Sequence, residues 1–381
     1  MTPRERVLAA LNHEPTDRVP CDVTHGQFMP DLERRMRLHF SVNDTEAINV
    51  ALGIDARWIK PVYRRPPESP LGQEQVTWFG TTDGLLSYAD GLGLRPLRDV
   101  GTIAEVERFF WPDPDWFDYE AAATLAAQYS RYALVGGYWN PVFCRICDLC
   151  GMEHALMLLL DRPAVVEAMI EHITAFNLGY YQRLFDAAPD IDILFVGDDA
   201  AGQQGLLISR QVWCRYFNGP LRRIFDLAHQ RGKRVMFHIC GAARELIPDL
   251  LDIGLDVLEP VQTSATGMDP GELKKEFGRS LSFWGGIDIQ HTLPFGTEEE
   301  VRAAARERIE VLGEGGGYVL GPSHSLLDDV PSENVLAMYD EARRFCRSQP
   351  PTTRTECTHV RVNGSNLLWR HGDLHCDRRP Q

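Results

Sequence analysis

Residues able to bind a metal or move a proton recur in this chain at the ends of short apolar runs. In order they are His25, Asn140, Asp198 with Asp199, His238 with Cys240, Gln262, Asp288 and His324. Strands end in water, which accounts for one or two polar exits but much less easily for the whole series. In His238-Ile239-Cys240 the two outer residues lie two apart, so on a strand both point to one face and can hold one ion together. An isolated His-x-Cys is more often a buried cysteine beside a hydrogen-bonded histidine. His324, closing the run Gly321-Pro322-Ser323-His324, adds a third borderline-soft ligand and shifts the balance toward a metal site. Asp198 and Asp199 are adjacent, so only one of them can face the same way as its strand neighbours. Both are candidates for the acid or base, with Gln203 in the same loop as a substrate-orienting group. His25, Asn140, Gln262 and Asp288 complete the candidate substrate-binding set.

These residues need a scaffold that brings distant strand ends to one place. Eight apolar runs read as buried strands: 19–25, 57–63, 132–138, 191–198, 234–240, 257–261, 281–288 and 318–320. Helical periodicity fills most of the intervals, over 152–187, 210–230, 243–253, 270–277 and 298–312, and follows the last strand over 332–347. Thr2 with Glu5, and Thr297 with Glu300, have capping-box spacing, and Pro3 suits a first helical turn. Near-continuous apolar strands alternating with helices predict an α/β fold, a single (β/α)8 TIM barrel spanning residues 1–347. Active sites of that fold sit at the C-terminal strand ends, where the polar series lies. An inserted hairpin is expected after the second strand, within 77–94, where Asp83-Gly84 and Asp90-Gly91 mark turns. Residues 348–381 lack apolar periodicity and read as a disordered tail.

Three further motifs are weaker. Cys144, Cys147 and Cys150 have a spacing reminiscent of iron–sulfur ligation, but at intervals of three they line one helical stripe, which suits packing. The glycines of 313–317 end a helix and open a strand, the reverse of a phosphate loop, and read as a helix stop. Gly285-Gly286 suggests close backbone approach.

Composition narrows the function classes. The chain has 39 Lys and Arg against 54 Asp and Glu, a formal charge of -15, which disfavours nucleic acid and anionic membranes as partners. Nine scattered cysteines and a charged, helical start to the chain point to a reducing cytoplasm rather than export.

Several stretches together resemble the uroporphyrinogen decarboxylase superfamily. They are the opening Thr2-Pro-Arg-Glu-Arg-Val-Leu-Ala-Ala-Leu11 region with Asp17-Arg-Val-Pro20, then Asp198-Asp-Ala-Ala-Gly-Gln-Gln-Gly-Leu-Leu-Ile-Ser209, Phe237-His-Ile-Cys-Gly241, Pro260-Val-Gln262, Phe283-Trp-Gly-Gly-Ile-Asp288, Gly315-Gly-Gly-Tyr-Val-Leu320 and Asp329-Val-Pro-Ser-Glu-Asn334. The resemblance covers roughly residues 1 to 346. True decarboxylases of that superfamily are metal-free and hold an octacarboxylate with an arginine-rich motif after the first strand. Here that stretch is Asp22-Val-Thr-His-Gly-Gln-Phe-Met-Pro30, which has no arginine. A second branch, zinc-dependent methyltransferases that exchange methyl groups with a corrinoid protein, carries His-x-Cys on strand five and Cys on strand eight. His238, Cys240 and His324 map onto these, with histidine replacing the last cysteine. The resemblance therefore implies a zinc-dependent methyltransferase or demethylase of a small-molecule substrate with a corrinoid protein as partner. The alternatives are a metal-free decarboxylase of porphyrin metabolism, and a non-catalytic binding protein on the same scaffold.

Overall fold

The structure, a computed structural model, describes residues 1–64, 77–81 and 94–348, together with 361–362 and 365–366. Seven parallel strands form one curled sheet: β1 (Ala56–Ile59), β2 (Ala133–Gly137), β3 (Ile193–Gly197), β4 (Arg234–His238), β5 (Val257–Glu259), β6 (Ser282–Ile287) and β7 (Tyr318–Pro322). They are hydrogen-bonded in chain order, so each strand neighbours the next in sequence.

The strands are apolar on both faces because both are covered. Outward residues such as Leu134, Leu194, Val235, Phe237, Leu258 and Phe283 pack into the layer of helices. Inward residues form a second, separate core of Ala56, Val135, Ile193, Phe195, Met236, Val257, Trp284 and Val319. Val7 and Leu11 of the first helix, Pro3–Leu11, join this inner core and close it from the N-terminal end of the strands. This two-sided burial removes both faces of the sheet from water.

The expected strand over 19–25 is reduced to a single parallel bridge between Cys21 and Leu320. Pro20 has no N–H to give to a ladder, and Thr24–Gly26 turns into a short 3-10 segment with His25 at φ 61°. The segment still reaches both edges of the sheet. Asp22 N–H donates to Leu320 O at 2.9 Å, Leu320 N–H donates to Pro20 O at 2.8 Å, and Asp55 N–H, just before β1, donates to Cys21 O at 2.8 Å. The sheet therefore counts seven strands among the described residues, with this bridging segment between its two edges.

Both capping boxes form as the spacing predicts, at Thr2/Glu5 and Thr297/Glu300. The expected helix over 152–187 is two helices, Met152–Asp161 and Pro163–Ala187, because Pro163 starts a new helix at its first turn. Helices at Pro30–Phe40 and Thr45–Leu52 add to the expected set, and the helical stripe expected for the three cysteines is the helix Phe143–Cys150. The last carries Cys144, Cys147 and Cys150, all buried as the stripe reading expects. At Gly285, φ is +86° and a Cβ would lie 2.8 Å from Pro322 O, so the close approach expected there is real.

Most of the expected hairpin within 77–94 lies outside the described residues, as does most of 348–381. Residues Arg347–Gln381 form a separate unit, in which Arg361–Val362 pairs antiparallel with Ser365–Asn366. Among the described residues no helix is long and apolar enough to cross a membrane.

Asp55 fastens the bridging segment. Its fully buried carboxylate accepts from Arg6 at 2.6 Å, Arg18 at 2.7 Å and the Cys21 N–H at 2.9 Å. Replacing it by alanine would leave two arginines and a backbone donor facing an apolar wall. Asp55→Ala should lower the unfolding free energy by about 3–5 kcal/mol in a urea titration. A loss below ~1 kcal/mol would mean that the segment is held by its backbone bonds alone.

Candidate metal and substrate site

Strand parity explains how the site is built. His238 lies two residues beyond inward-facing Met236 on β4, Glu259 two beyond Val257 on β5, and Trp58 two beyond Ala56 on β1. Each therefore projects into the mouth of the curled sheet, one layer above the inner core. Register sets His238 beside Glu259 on the adjacent strand.

The imidazole of His238 is 1% exposed and engaged on both sides. Its Nδ1 lies 2.6 Å from Glu259 Oε2, and its Nε2 lies 3.2 Å from Cys240 Sγ. Burial disfavours the charged imidazole, but the Glu259 carboxylate and Cys240 together outweigh it and hold the histidine well above its ordinary value. Glu259 is correspondingly held well below the usual carboxylate range, burial being overcome by His238 and His25. Burial pushes the Cys240 thiol up, with His238 opposing.

His25 reaches the same carboxylate. Its Nε2 is 3.2 Å from His238 Nδ1 and 3.7 Å from Glu259 Oε2, while its Nδ1 meets Ser325 Oγ at 3.1 Å. The left-handed backbone of His25 and Gly26 permits this approach. A Cβ on Gly26 would sit 2.8 Å from the Trp58 ring. The His324 ring lies 5.2 Å from that of His25 and 5.7 Å from that of His238. Burial and the two neighbouring histidines push its pKa down to about 3, so it stays neutral.

Ligand atoms of His238, Cys240 and His324 all lie within 4.8 Å of one another, and those of His25, His238 and Glu259 do so as well. Zinc bonds of about 2.0–2.3 Å put tetrahedral ligand atoms roughly 3.3–3.8 Å apart. The His238–Cys240 spacing of 3.2 Å falls just below this range and the His324 ligand atom lies within 4.8 Å of both, so modest side-chain adjustments would bring all three to coordination distance. The donor set fits the metal: with Glu259 engaging Nδ1, Nε2 is the nitrogen turned toward the thiol, the orientation a buried carboxylate imposes on a ligating imidazole.

Beside these groups opens a cavity of about 330 Å³, whose wall includes His25, His238, His324 and Asp199. Asp199 is the acid that faces it, with Oδ1 accepting the Cys240 N–H at 3.0 Å and lying 3.8 Å from His238 Nε2. Asp198 points elsewhere. Fully buried, it accepts three backbone N–H groups, from Val142, Phe143 and Cys144 at 2.6–2.9 Å, and so caps the Phe143–Cys150 helix. Burial pushes its pKa up to about 6 against those three donors.

The remaining sequence candidates stand outside the cavity wall. Gln262 Oε1 accepts the Gly241 N–H at 2.7 Å and fixes the loop after β4. Asp288 accepts from the N–H groups of Gln290, His291 and Thr292, capping the short helix at Thr292–Phe295. Asn140 is buried, its carbonyl accepting from Asn177, and Gln203 is exposed.

Sequence reading missed Glu259, Trp58 and Asp22. Asp22 Oδ2 accepts the indole N–H groups of Trp58 at 3.2 Å and Trp284 at 3.0 Å, and burial pushes its pKa up to about 7. Glu259 was detectable as an acid in an apolar strand at the same inward parity as Val257.

The role of Asp198 predicts a specific result. Asp198→Ala strips three buried backbone donors of their acceptor and should cost about 3 kcal/mol of stability in denaturant unfolding. Asp199→Ala, on the cavity wall, should cost under ~1 kcal/mol. Equal losses would contradict the assignment.

Comparison with known proteins gives three results. A family model described as uroporphyrinogen decarboxylase (URO-D) matches residues 93–345. Relatives include a uroporphyrinogen decarboxylase of Thioalkalivibrio sulfidiphilus, 22% identical over 89% of this chain and 97% of its own length. They also include a methylated-thiol–coenzyme M methyltransferase of Methanosarcina mazei, 27% identical over 53% of this chain, where the match spans half of the relative. Among solved structures, a methyltransferase from Methanosarcina mazei superimposes with a TM-score of 0.67 at 19% identity, covering 91% of this chain and 99% of that one, which shows the shared fold.

Proposed function

Because the chain belongs to the uroporphyrinogen decarboxylase family, we propose that within it the protein is a zinc-dependent methyltransferase or demethylase of a small molecule, with a corrinoid protein as partner, working in the cytoplasm. The observation that carries this reading is the line Glu259 Oε2, His238 Nδ1, His238 Nε2, Cys240 Sγ, with spacings of 2.6 and 3.2 Å, and His324 beside it. A carboxylate behind an imidazole that faces a thiol is the arrangement of a metal ligand and its support. The relatives named as methyltransferases support the reaction class.

Zinc bound there supplies Lewis acidity, lowering the pKa of a thiol acceptor or polarising a methylated heteroatom. The chain's own residues do the rest. His238, Cys240 and His324 would hold the ion, and Glu259 keeps Nε2 of His238 turned toward it. Asp199 on the cavity wall binds the substrate's polar end or returns a proton to it from its carboxyl oxygen. The cavity walls exclude water from the reacting groups.

Two features weigh against a porphyrinogen. Residues 22–30 hold no arginine, and among the described residues the cavity lining sets two cations, Lys60 and Arg145, against Asp148 and Asp199, with Arg145 paired to Asp148 at 3.0 Å. Eight carboxylates would meet too few cations there.

The test is zinc content by atomic absorption together with two activity assays, in the wild type and in Cys240→Ala. The wild type should hold about one zinc per chain and transfer methyl from methylcobalamin to thiols, and the variant should lose both. Turnover of uroporphyrinogen that persists in the variant would overturn the proposal. Glu259→Gln should still take up zinc, but about 10–100-fold more weakly in a chelator competition.

A further inference from the structure

On the side of the His238 ring away from Cys240, three ligand atoms face one another. His238 Nδ1 lies 2.6 Å from Glu259 Oε2 and 3.2 Å from His25 Nε2, and His25 Nε2 lies 3.7 Å from Glu259 Oε2. A triangle with these sides has a point about 1.9 Å from every corner, just inside zinc bonds of about 2.0–2.1 Å to imidazole and 2.0–2.2 Å to carboxylate. Two imidazole nitrogens and a carboxylate oxygen are a donor set for a borderline divalent ion.

The surroundings are those of a built site. Ser325 Oγ meets His25 Nδ1 at 3.1 Å and supports that imidazole from behind, as a ligating histidine requires. His25 is held in left-handed backbone at φ 61°, a conformation that costs a non-glycine residue energy and that here aims Nε2 at the carboxylate. Aromatic walls flank its ring edge-on, Trp58 at 5.7 Å and Phe195 at 5.4 Å. Glu259 Oε1 is buried with no hydrogen-bond partner among the described residues, and so is Asp22 Oδ1. Burial pushes the Asp22 pKa up to about 7 and the Glu259 charge adds to the rise, so a divalent cation beside Glu259 would ease both carboxylates. The His25 side chain is 19% exposed and lines the cavity, which gives an ion its way in.

We propose that His25 Nε2, His238 Nδ1 and Glu259 Oε2 form a second, inner site for a divalent ion of the zinc class, sharing the His238 ring with the outer His238–Cys240–His324 site. The hydrogen that His238 Nδ1 gives to Glu259 leaves to water as the inner ion enters, and with both sites filled the ring bridges two ions as an imidazolate. Charge then balances. Two divalent ions carry four positive charges against the Cys240 thiolate, the His238 imidazolate, Glu259 and Asp199, whose Oδ1 lies 3.8 Å from His238 Nε2. The inner ion is the weaker held, because it must displace that hydrogen and shed its water in a buried place, so the chain as purified keeps only the outer ion. The inner site rests on the geometry of its three ligands, and only the order of filling rests on the metal proposed above.

Cobalt(II) is the probe, because a thiolate ligand gives it a near-ultraviolet charge-transfer band that nitrogen and oxygen ligands do not. Metal-free wild type dialysed against excess cobalt should take two ions per chain and show that band beside the visible cobalt bands. Cys240→Ala should take one ion, with the visible bands and without the charge-transfer band; its His238 ring then carries its hydrogen on Nε2. His25→Asn, which suits left-handed backbone but is too short to reach the carboxylate, should take one ion and keep the charge-transfer band. Ser325→Ala, added to Cys240→Ala, should weaken the remaining ion about tenfold. The inference is overturned if wild type takes no second ion, if Cys240→Ala takes none, or if the ion in Cys240→Ala survives both His25→Asn and Ser325→Ala unweakened. Should His25→Asn fail to fold by circular dichroism, the Ser325→Ala arm decides alone. Failure here is separable from failure of the proposed function: a wild type that binds cobalt without the charge-transfer band refutes only the outer metal, and one that takes a single thiolate-bound ion and no more refutes only the inner site.

Discussion

The contact between Glu259 and His238 is the constraint on which the site depends. A carboxylate with no solvent exposure is costly to keep ionised, and it persists only where something compensates for the lost water. Here the compensation comes from two imidazoles, His238 at 2.6 Å and His25 at 3.7 Å. The same contact fixes which nitrogen of His238 is turned to Cys240. Removing the carboxylate would free the ring to rotate and leave His25 without its charged neighbour, so the ligand geometry and the cavity wall would loosen together.

The rest of the molecule supplies the rigidity that this contact needs. His238 and Glu259 end adjacent parallel strands paired at that register, and below them Met236, Val257 and Trp284 fill the interior without polar atoms other than the Trp284 indole N–H, which Asp22 accepts. Asp22 in turn steadies Trp58, and Trp58 packs beside His25 with rings 5.7 Å apart. Asp55 ties the segment carrying Asp22 and His25 to the edge of the sheet. Two buried carboxylates on one short segment and its neighbour thereby connect the gap between the sheet edges to His25 and, through it, to His238.

Much of this was readable from residue order, because parity and periodicity are local. The alternation of strands and helices, both capping boxes and the convergence of His238, Cys240 and His324 follow from spacing within a few residues and from the common end at which parallel strands finish. What escaped was set by partners far away in sequence. Asp198 looks like an acid at a strand end, yet its oxygens are claimed by backbone donors 54 to 56 residues earlier. Asp288 and Gln262 are likewise taken up by loops and helix ends. The first strand failed because Pro20 cannot donate and because His25 and Gly26 take left-handed backbone, a turn that apolar content does not reveal. Glu259 was passed over because a three-residue strand gives too little alternation for one acid to stand out.

Charge, rather than fold, is the property of this scaffold that would separate decarboxylase from methyltransferase chemistry. Sequence identity to both is similar, 22% and 27%, and one barrel-like framework accommodates either chemistry. A polycarboxylate must be met by cations that remain unneutralised when it binds. In this cavity Arg145 is held by Asp148, and Asp199 faces the space beside the histidines, so the inner end is poor in positive charge unless a metal is bound. A divalent ion on His238, Cys240 and His324 would reverse that sign at the one place where aromatic walls leave a polar opening. The shortage of cations that counts against a porphyrinogen is thus the same feature that a divalent ion on the proposed ligands would offset, which ties the proposed metal and the choice of substrate to one property of the cavity.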